Sequence, residues 1–455
     1  MNIFKRFWLF ITGRGFKAAK KDRLYGNWIT KTSTPNENIN QLSVLRARAN
    51  DLYINNPFIA GAVNNLVNKI VGYGTTLQAR TDKSDLNTQI EAAWNRWCET
   101  ADFYGQFHFG DIERTLIQKL FLDGGIFVKV VLDNRRKNPF CLELIEYSRL
   151  ADYVYKGAGN NQVIHGVEID KNGLVVAYHF AKNDLDNGIN NTVRVSATNI
   201  IHFSPFRRPL QLLGVPLLAP ALVYAKNLDD IIEAELVAKK VEASLSVFVK
   251  SNDYGRLQAL NENEHGEKEL EIAPGVINFL DAGEDIQILD PHRPGRSFKD
   301  FTYFILEGIA RSIGMSLEQI TGDKSQVNYS SARHSELELR DAVKPFRKAL
   351  ERYFLKPVYV NFLNYAVGSG VLNIKDFFSK KEFYEKHTWI FKGDDWVDPL
   401  KEIKAKEEEV KLGVTTLSEI CAAKGKDWQE VIKQRQREVK LLNKSGLLDI
   451  TQEGN

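Results

Sequence analysis

Between Ile320 and Arg333 the chain reads Ile-Thr-Gly-Asp-Lys-Ser-Gln-Val-Asn-Tyr-Ser-Ser-Ala-Arg, a polar stretch between two apolar, helix-like runs. Lys324, Ser325, Gln326 and Asn328 supply one cation and three neutral hydrogen-bonding groups. Such groups can touch phosphate oxygens briefly, without the strong salt-dependent grip of an arginine cluster. A second polar group lies upstream: Asp229, Asp230 and Glu233, joined by Glu235 and Glu242 and offset by Lys226, Lys239 and Lys240. Its plain reading is a solvated helix face with pairs such as Lys226 and Asp230 four residues apart.

Bond-making chemistry finds no foothold. The chain has no glycine-rich loop ending in Gly-Lys-Ser or Gly-Lys-Thr, no His-Glu-x-x-His and no Gly-x-Ser-x-Gly elbow. Asp394 and Asp395 are adjacent carboxylates with neither a histidine nor a third acid nearby, so a metal site is not expected there. Cys98, Cys141 and Cys421 lie far apart, without metal-ligand spacing, and read as buried free thiols. The expectation is a protein without catalytic residues, metal or cofactor.

Two helices must position the polar loop. Before it, Phe298, Phe301, Ile305, Ile309 and Ile313 recur at helical steps; after it, Leu337, Leu339, Val343, Phe346 and Leu350 do the same. Gly322 can turn the chain, Asn328 tolerates left-handed geometry, and Ser330 or Ser331 can cap the second helix. On these grounds alone the loop is an ordinary connection. The acidic group sits on a helix predicted over Ala221 to Leu245, about 37 Å long at the α-helical rise.

Upstream, a helical region from Ser43 to Val71 is interrupted near Pro57 and stopped by Gly72 and Gly74. Helices are predicted at Leu86 to Thr100, with Ile90, Trp94 and Trp97 on a core face, and at Phe109 to Leu122, with Asp111 as a cap. Strands are predicted at Ile126 to Leu132, Cys141 to Ile145, Ile164 to Ile169, Leu174 to Phe180 and Val193 to Phe203, with a hairpin turn at Lys171-Asn172-Gly173. Further strands are read at Ser246 to Lys250, Val276 to Leu280 and Ile286 to Leu289, around a charged stretch at Asn261 to Glu271. A helix is read at Pro357 to Ala366, and a charged helical tail beyond Lys401. The fold class is α+β, with a mostly antiparallel sheet.

The 455 residues are 43% hydrophobic, enough for a substantial core. Lys and Arg total 61 against 58 Asp and Glu, a net charge of +3. That balance argues against tight, static nucleic-acid binding. The apolar run Phe7 to Ile11 is too short for a membrane span and reads as a docking arm.

Several segments resemble, in order, the lambda-type family of phage portal proteins: Leu45-Arg46-Ala47-Arg48-Ala49, Asn55-Asn56-Pro57, Val71-Gly72-Tyr73-Gly74, Trp94-Asn95-Arg96-Trp97-Cys98, Asp123-Gly124-Gly125-Ile126-Phe127-Val128, Asn328-Tyr329-Ser330-Ser331-Ala332-Arg333 and Trp396-Val397-Asp398-Pro399-Leu400-Lys401-Glu402. The resemblance extends from about Leu45 to Val431. It implies a ring-shaped homo-oligomer, a dodecamer by analogy, at one capsid vertex, through which double-stranded DNA enters on packaging and leaves on ejection. By the same resemblance the chain divides into an N-terminal arm (1–40), a wing (41–218), a first stem helix (219–246), a clip (247–296), a second stem helix (297–317), a channel loop (318–330), a long helix completing the wing (331–400) and a helical crown-like end (401–455). Lys324, Ser325, Gln326 and Asn328 would then meet DNA transiently, and Asp229, Asp230 and Glu233 would face the channel and repel it. The implied partners are the terminase large subunit, major capsid and scaffold proteins, and head-completion or neck proteins. Assembly would occur in the host bacterial cytoplasm, from a phage or prophage, without a membrane. Another ring-forming connector or scaffold protein is the alternative.

Overall fold

The first break in the chain follows from two adjacent residues. In the computed structural model, which describes residues 32–182, 192–205, 208–244, 248–250, 285–287, 298–325, 328–393 and 399–445, helix α1 (Leu42–Asn55) ends where Asn56 becomes extended (φ −101°, ψ 115°). A following proline disfavours helical geometry at that position. Asn56 accepts from the Ile59 N–H at 2.9 Å and Pro57 occupies the first helical position, which starts α2 (Pro57–Ile70). Gly72 (φ 68°) and Gly74 (φ 120°) then turn the chain. The turn is crowded: a Cβ on Gly110 would lie 2.4 Å from the Tyr73 carbonyl oxygen.

Strand β1 (Thr76–Ala79) leads to α3 (Ser84–Cys98) and α4 (Phe109–Leu122), close to the predicted spans. The cap of α4 differs from expectation. His108 is extended and its Nδ1 accepts from the Gly110 N–H at 3.0 Å, while Asp111, already inside the helix, accepts from the His108 N–H at 3.2 Å. Trp94 and Trp97 are core residues. Trp94 meets Phe109 and Phe362 edge-on at 5.1 Å, and Trp97 stacks on Phe140 at 5.3 Å while its indole N–H donates to the Phe140 carbonyl at 2.7 Å. Truncating one such ring to alanine costs about 3–5 kcal/mol.

The strands are β2 (Ile126–Leu132), β3 (Phe140–Ile145), β4 (Gln162–Ile164), β5 (Val167–Ile169), β6 (Val175–Ala181), β7 (Thr192–Ser196) and β8 (Ile200–Phe203). They form two antiparallel sheets, ordered β3-β2-β8 and β4-β5-β6-β7. Two expected strands prove to be pairs. Ile164 to Ile169 folds back at His165 (φ 46°) and Gly166 (φ 75°), and Val193 to Phe203 is divided by a short helical turn at Ala197–Asn199 that carries the chain from one sheet to the other.

Helix α5 (Leu222–Ser244) leaves the body: Leu222, Ala225 and Leu228 are buried, whereas Leu236 and Val237 are more than half exposed. Strands β9 (Phe248–Lys250) and β10 (Asp285–Gln287) pair antiparallel, and α6 (Phe298–Ser312) returns alongside α5. Its packed side is Thr302, Ile305, Leu306, Ile309 and Ala310. Phe301, assigned to the buried stripe from its spacing, is 51% exposed: the packed face is set by Thr302, Ile305 and Ile309, and Phe301 shares the outer face with Phe304. After α7 (Leu317–Thr321), α8 (Tyr329–Leu350) passes through one wide π-helical turn (Glu351–Leu355) into α9 (Lys356–Gly368) without a break. The short α10 (Lys381–Tyr384) precedes β11 (His387–Ile390), which pairs with β1. Helices α11 (Pro399–Lys411), α12 (Leu417–Ala423) and α13 (Trp428–Ser445) finish the described chain.

The arm at 1–31, Asn261 to Glu271, Val276 to Leu280, Gln326, Asp394, Asp395 and Trp396 to Asp398 lie outside the described residues.

Candidate functional site

The polar loop is shorter than its sequence suggests, because both flanks are helical to their limits. The Ser316 N–H donates to the Gln319 side chain at 2.9 Å where α7 starts, and Gly322 ends the helix in the left-handed region at φ 72°. On the far side Asn328, not Ser330 or Ser331, is the cap of α8. It is extended (φ −86°, ψ 167°), its side chain accepts from the Ser331 N–H at 2.8 Å, and Ser331 Oγ accepts from the Asn328 N–H at 3.1 Å. Asn328 is therefore occupied by the helix it starts.

Asp323 anchors the base of the loop. It accepts from the Tyr303 hydroxyl at 2.7 Å and from the Ser325 N–H at 2.9 Å, and Lys299 approaches at 3.7 Å. Those bonds, the Ser325 N–H foremost, hold its carboxyl well below the usual range. The loop is also tied through its flanking helices: Ser335 donates to Glu318, and Gln319 donates to the Ser335 carbonyl at 3.2 Å. Among the described residues of the loop, Lys324 and Ser325 are exposed at the tip, Ser325 being bonded to Asp323 as well. The structure brings these two together and uses Asn328 as a cap. The Asp323–Tyr303 anchor was missed in the sequence, because it joins residues on either side of a helix whose course was unknown.

The three acids of α5 separate. Asp229 is half-buried and accepts from the Asn56 side-chain amide at 2.7 Å; burial, partly offset by that bond, raises its pKa. Asp230 is exposed and forms the anticipated ion pair with Lys226 at 2.7 Å. Glu233 is exposed, one turn beyond Asp229. Only the last two stand at the surface, and one of these is already paired.

Other charged groups are absorbed by the fold. Arg46 is stacked 4.2 Å over the Tyr147 ring and donates to the carbonyls of Asp123 (2.9 Å) and Gly214 (3.1 Å), beside a cavity of about 790 Å³. Glu168, fully buried, accepts from Arg194 (2.7 Å), Asn161 (2.7 Å) and the Ala158 N–H (3.1 Å) and lies 2.9 Å from His179 Nε2, so its oxygens are spoken for. Glu113 is also fully buried, accepting from the Thr75 N–H at 2.7 Å and from the Thr75 hydroxyl. Burial pushes its pKa up to about 7. Among the described residues, no group of three or more His, Cys, Asp or Glu side chains could hold a metal ion, and no helix is long and apolar enough to cross a membrane.

Comparison with known proteins places these elements in context. The sequence profile of the family described as phage portal protein, lambda family, matches residues 21–347. The chain is 24% identical to the probable portal protein of Halomonas phage phiHAP-1, over 95% of this chain and 88% of the relative. It is 23% identical to the portal protein of Escherichia phage N15 (86% and 83%) and 21% identical to portal protein B of Escherichia phage lambda (88% and 84%). Among solved structures, a chain from the neck of an empty gene transfer agent particle aligns over 85% of this chain and 93% of its own length at 14% identity, with a TM-score of 0.44. One from the neck of a native particle, computed with C12 symmetry, aligns over 83% and 91% at 14% identity, also with a TM-score of 0.44.

Proposed function

The chain belongs to the lambda family of phage portal proteins, and from that premise we propose how its parts serve as a portal. It is a structural component of a phage-like virion: a closed ring of identical copies at one capsid vertex, meeting capsid and neck proteins. Double-stranded DNA passes through the ring during packaging and ejection. The terminase large subunit docks on it and supplies the energy, ATP hydrolysis being the task of that separate enzyme. A dodecamer is the assembly proposed, formed in the host cytoplasm.

The observation that carries this reading is the extent of the family match, which runs through α5, α6, the polar loop and most of α8. The division we propose is a wing over 41–218 and 331–400, stem helices α5 and α6, a clip over 247–296, a channel loop within 318–330 and a crown-like end beyond 401. Lys324 and Ser325 at the loop tip touch DNA transiently, with Gln326 between them and the cap residue Asn328. Glu233, with Asp229 and Asp230, keeps phosphates from settling on the stem wall.

Exposed apolar side chains support a ring. Val223, Tyr224, Leu236 and Val237 on α5, and Phe301 and Phe304 on α6, are each at least half exposed. A heterologous contact between neighbouring copies would bury them. Electron microscopy of the purified protein, with its mass in solution, tests the proposal. Rings with a hole wide enough for duplex DNA are expected; a protein that stays monomeric at high concentration, with or without capsid and scaffold proteins, would refute it.

A further inference from the structure

Charge along the C-terminal helices is distributed unevenly. In α11 the charges cancel in place: Lys411 pairs with Glu407 at 2.9 Å and Glu408 at 3.1 Å, and Lys406 pairs with Glu409. That is an ordinary solvated face. Helix α13 differs. From Lys433 to Lys440 four basic residues, Lys433, Arg435, Arg437 and Lys440, stand against one acid, Glu438, which accepts from Gln434 at 2.9 Å. The excess of three in eight residues equals the net charge of the entire chain, +3.

Geometry collects that charge. At about 100° per residue, Lys433, Arg437 and Lys440 fall within roughly 60° of one another, about 150° around the helix from Trp428 and Val431, with Ile432 on the flank between. Those three apolar residues are half-buried at the helix root, while every residue from Lys433 to Asn443 is exposed. The helix thus docks by its first turn and extends a basic stripe away from the body. A groove of about 860 Å³ runs beside it, lined by Lys426, Lys433, Arg435 and Arg437 and by the acids Asp427, Glu430 and Glu438. The stripe spans about 10 Å of helix. A duplex strand presents roughly three phosphates over that length, one per about 3.4 Å.

We propose that this stripe of α13 is a sequence-independent binding surface for the phosphate backbone of double-stranded DNA, distinct from the polar loop. The inference rests on the reading of DNA as the portal's cargo. It makes the crown-like end the place where the chain holds DNA, and the loop tip, with its single lysine, the place where DNA slides.

The test uses the full-length protein and a short random-sequence duplex, with affinity followed by fluorescence anisotropy across a salt series. Neutralising the stripe (K433Q/R437Q/K440Q) is expected to weaken binding and to flatten the log–log salt dependence by roughly 0.9 for each cation that meets a phosphate. Three neutralisations in α11 (K404Q/K406Q/K411Q) are expected to leave the slope alone, and K433R/K440R to preserve it. Equal slopes for the wild type and the α13 variant would overturn the inference. So would competition by polyglutamate as effective as competition by duplex at equal charge, which would make the surface one for an acidic protein. Ring formation is scored separately by electron microscopy. Duplex binding through the stripe by a chain that forms no rings would uphold this inference while refuting the portal reading.

Discussion

Glu113 is the residue whose environment departs furthest from its chemistry. Its carboxyl has no contact with solvent, and among the described residues no cation pairs with it; Thr75 alone supplies donors. The sequence offered no hint, since Glu113 is one of two acids on an amphipathic helix and the turn that covers it lies 38 residues away. With a folded pKa near 7 and an ordinary value of 4.5, the folded protein holds this proton more tightly than the unfolded chain. The associated stability is complete below the ordinary pKa and is lost as pH rises through the folded one. The whole loss is at most about 3 kcal/mol, from the shift at 1.36 kcal/mol per unit. Glu113→Gln keeps an acceptor for Thr75 and removes the titration. Its urea midpoint is expected to change less between pH 5 and pH 8 than that of the wild type; parallel curves would show that Glu113 does not titrate in this window.

At the scale of elements, legibility depended on how local the cause was. Helices α3 and α4 could be read from periodicity because one face of each is buried in the core. Strand β1 was missed: Thr-Leu-Gln-Ala alternates over only four residues, too few to mark a strand, and its pairing is with the distant His387 to Ile390. The turn at His165 and Gly166 was hidden because a histidine at positive φ breaks the usual turn code. The residues of the polar loop were legible as polar, but their division into a fixed cap and an exposed tip required Asn328 and Asp323 to be seen in place. Deleting Lys324 to Val327 is expected to leave rings intact and to impair DNA retention or packaging; full packaging by the deletion would refute a DNA-facing tip. On α5, Glu233→Lys is the cleaner charge reversal, since Asp229→Lys also removes the bond from Asn56. Packaging or ejection is expected to change in Glu233→Lys, and wild-type behaviour in both assays would count against a repulsive wall.

At the scale of the whole molecule, one chain carries more apolar surface than it can cover alone. Phe304 is 69% exposed and Phe301 51%, both on α6. Phe304→Glu is expected to weaken each copy-to-copy contact by about 2 kcal/mol, the scale of an interfacial aromatic anchor, and to shift mass photometry from rings toward monomers at low concentration. Unchanged rings would place the interface elsewhere.

The pairing of Thr76 with Ile390 has a temporal side. Protein chains emerge from the ribosome N-terminus first, so β1 waits for its partner until more than three hundred later residues have been made. Trp94 waits as well, because Tyr359, Phe362 and Trp389 complete its surroundings. The early part of the chain is therefore unfinished throughout synthesis, and a truncated product lacks the strand and rings that would seal it. The last quarter of the chain acts as a closing stitch, so a copy with a completed core is also one whose translation has passed residue 390.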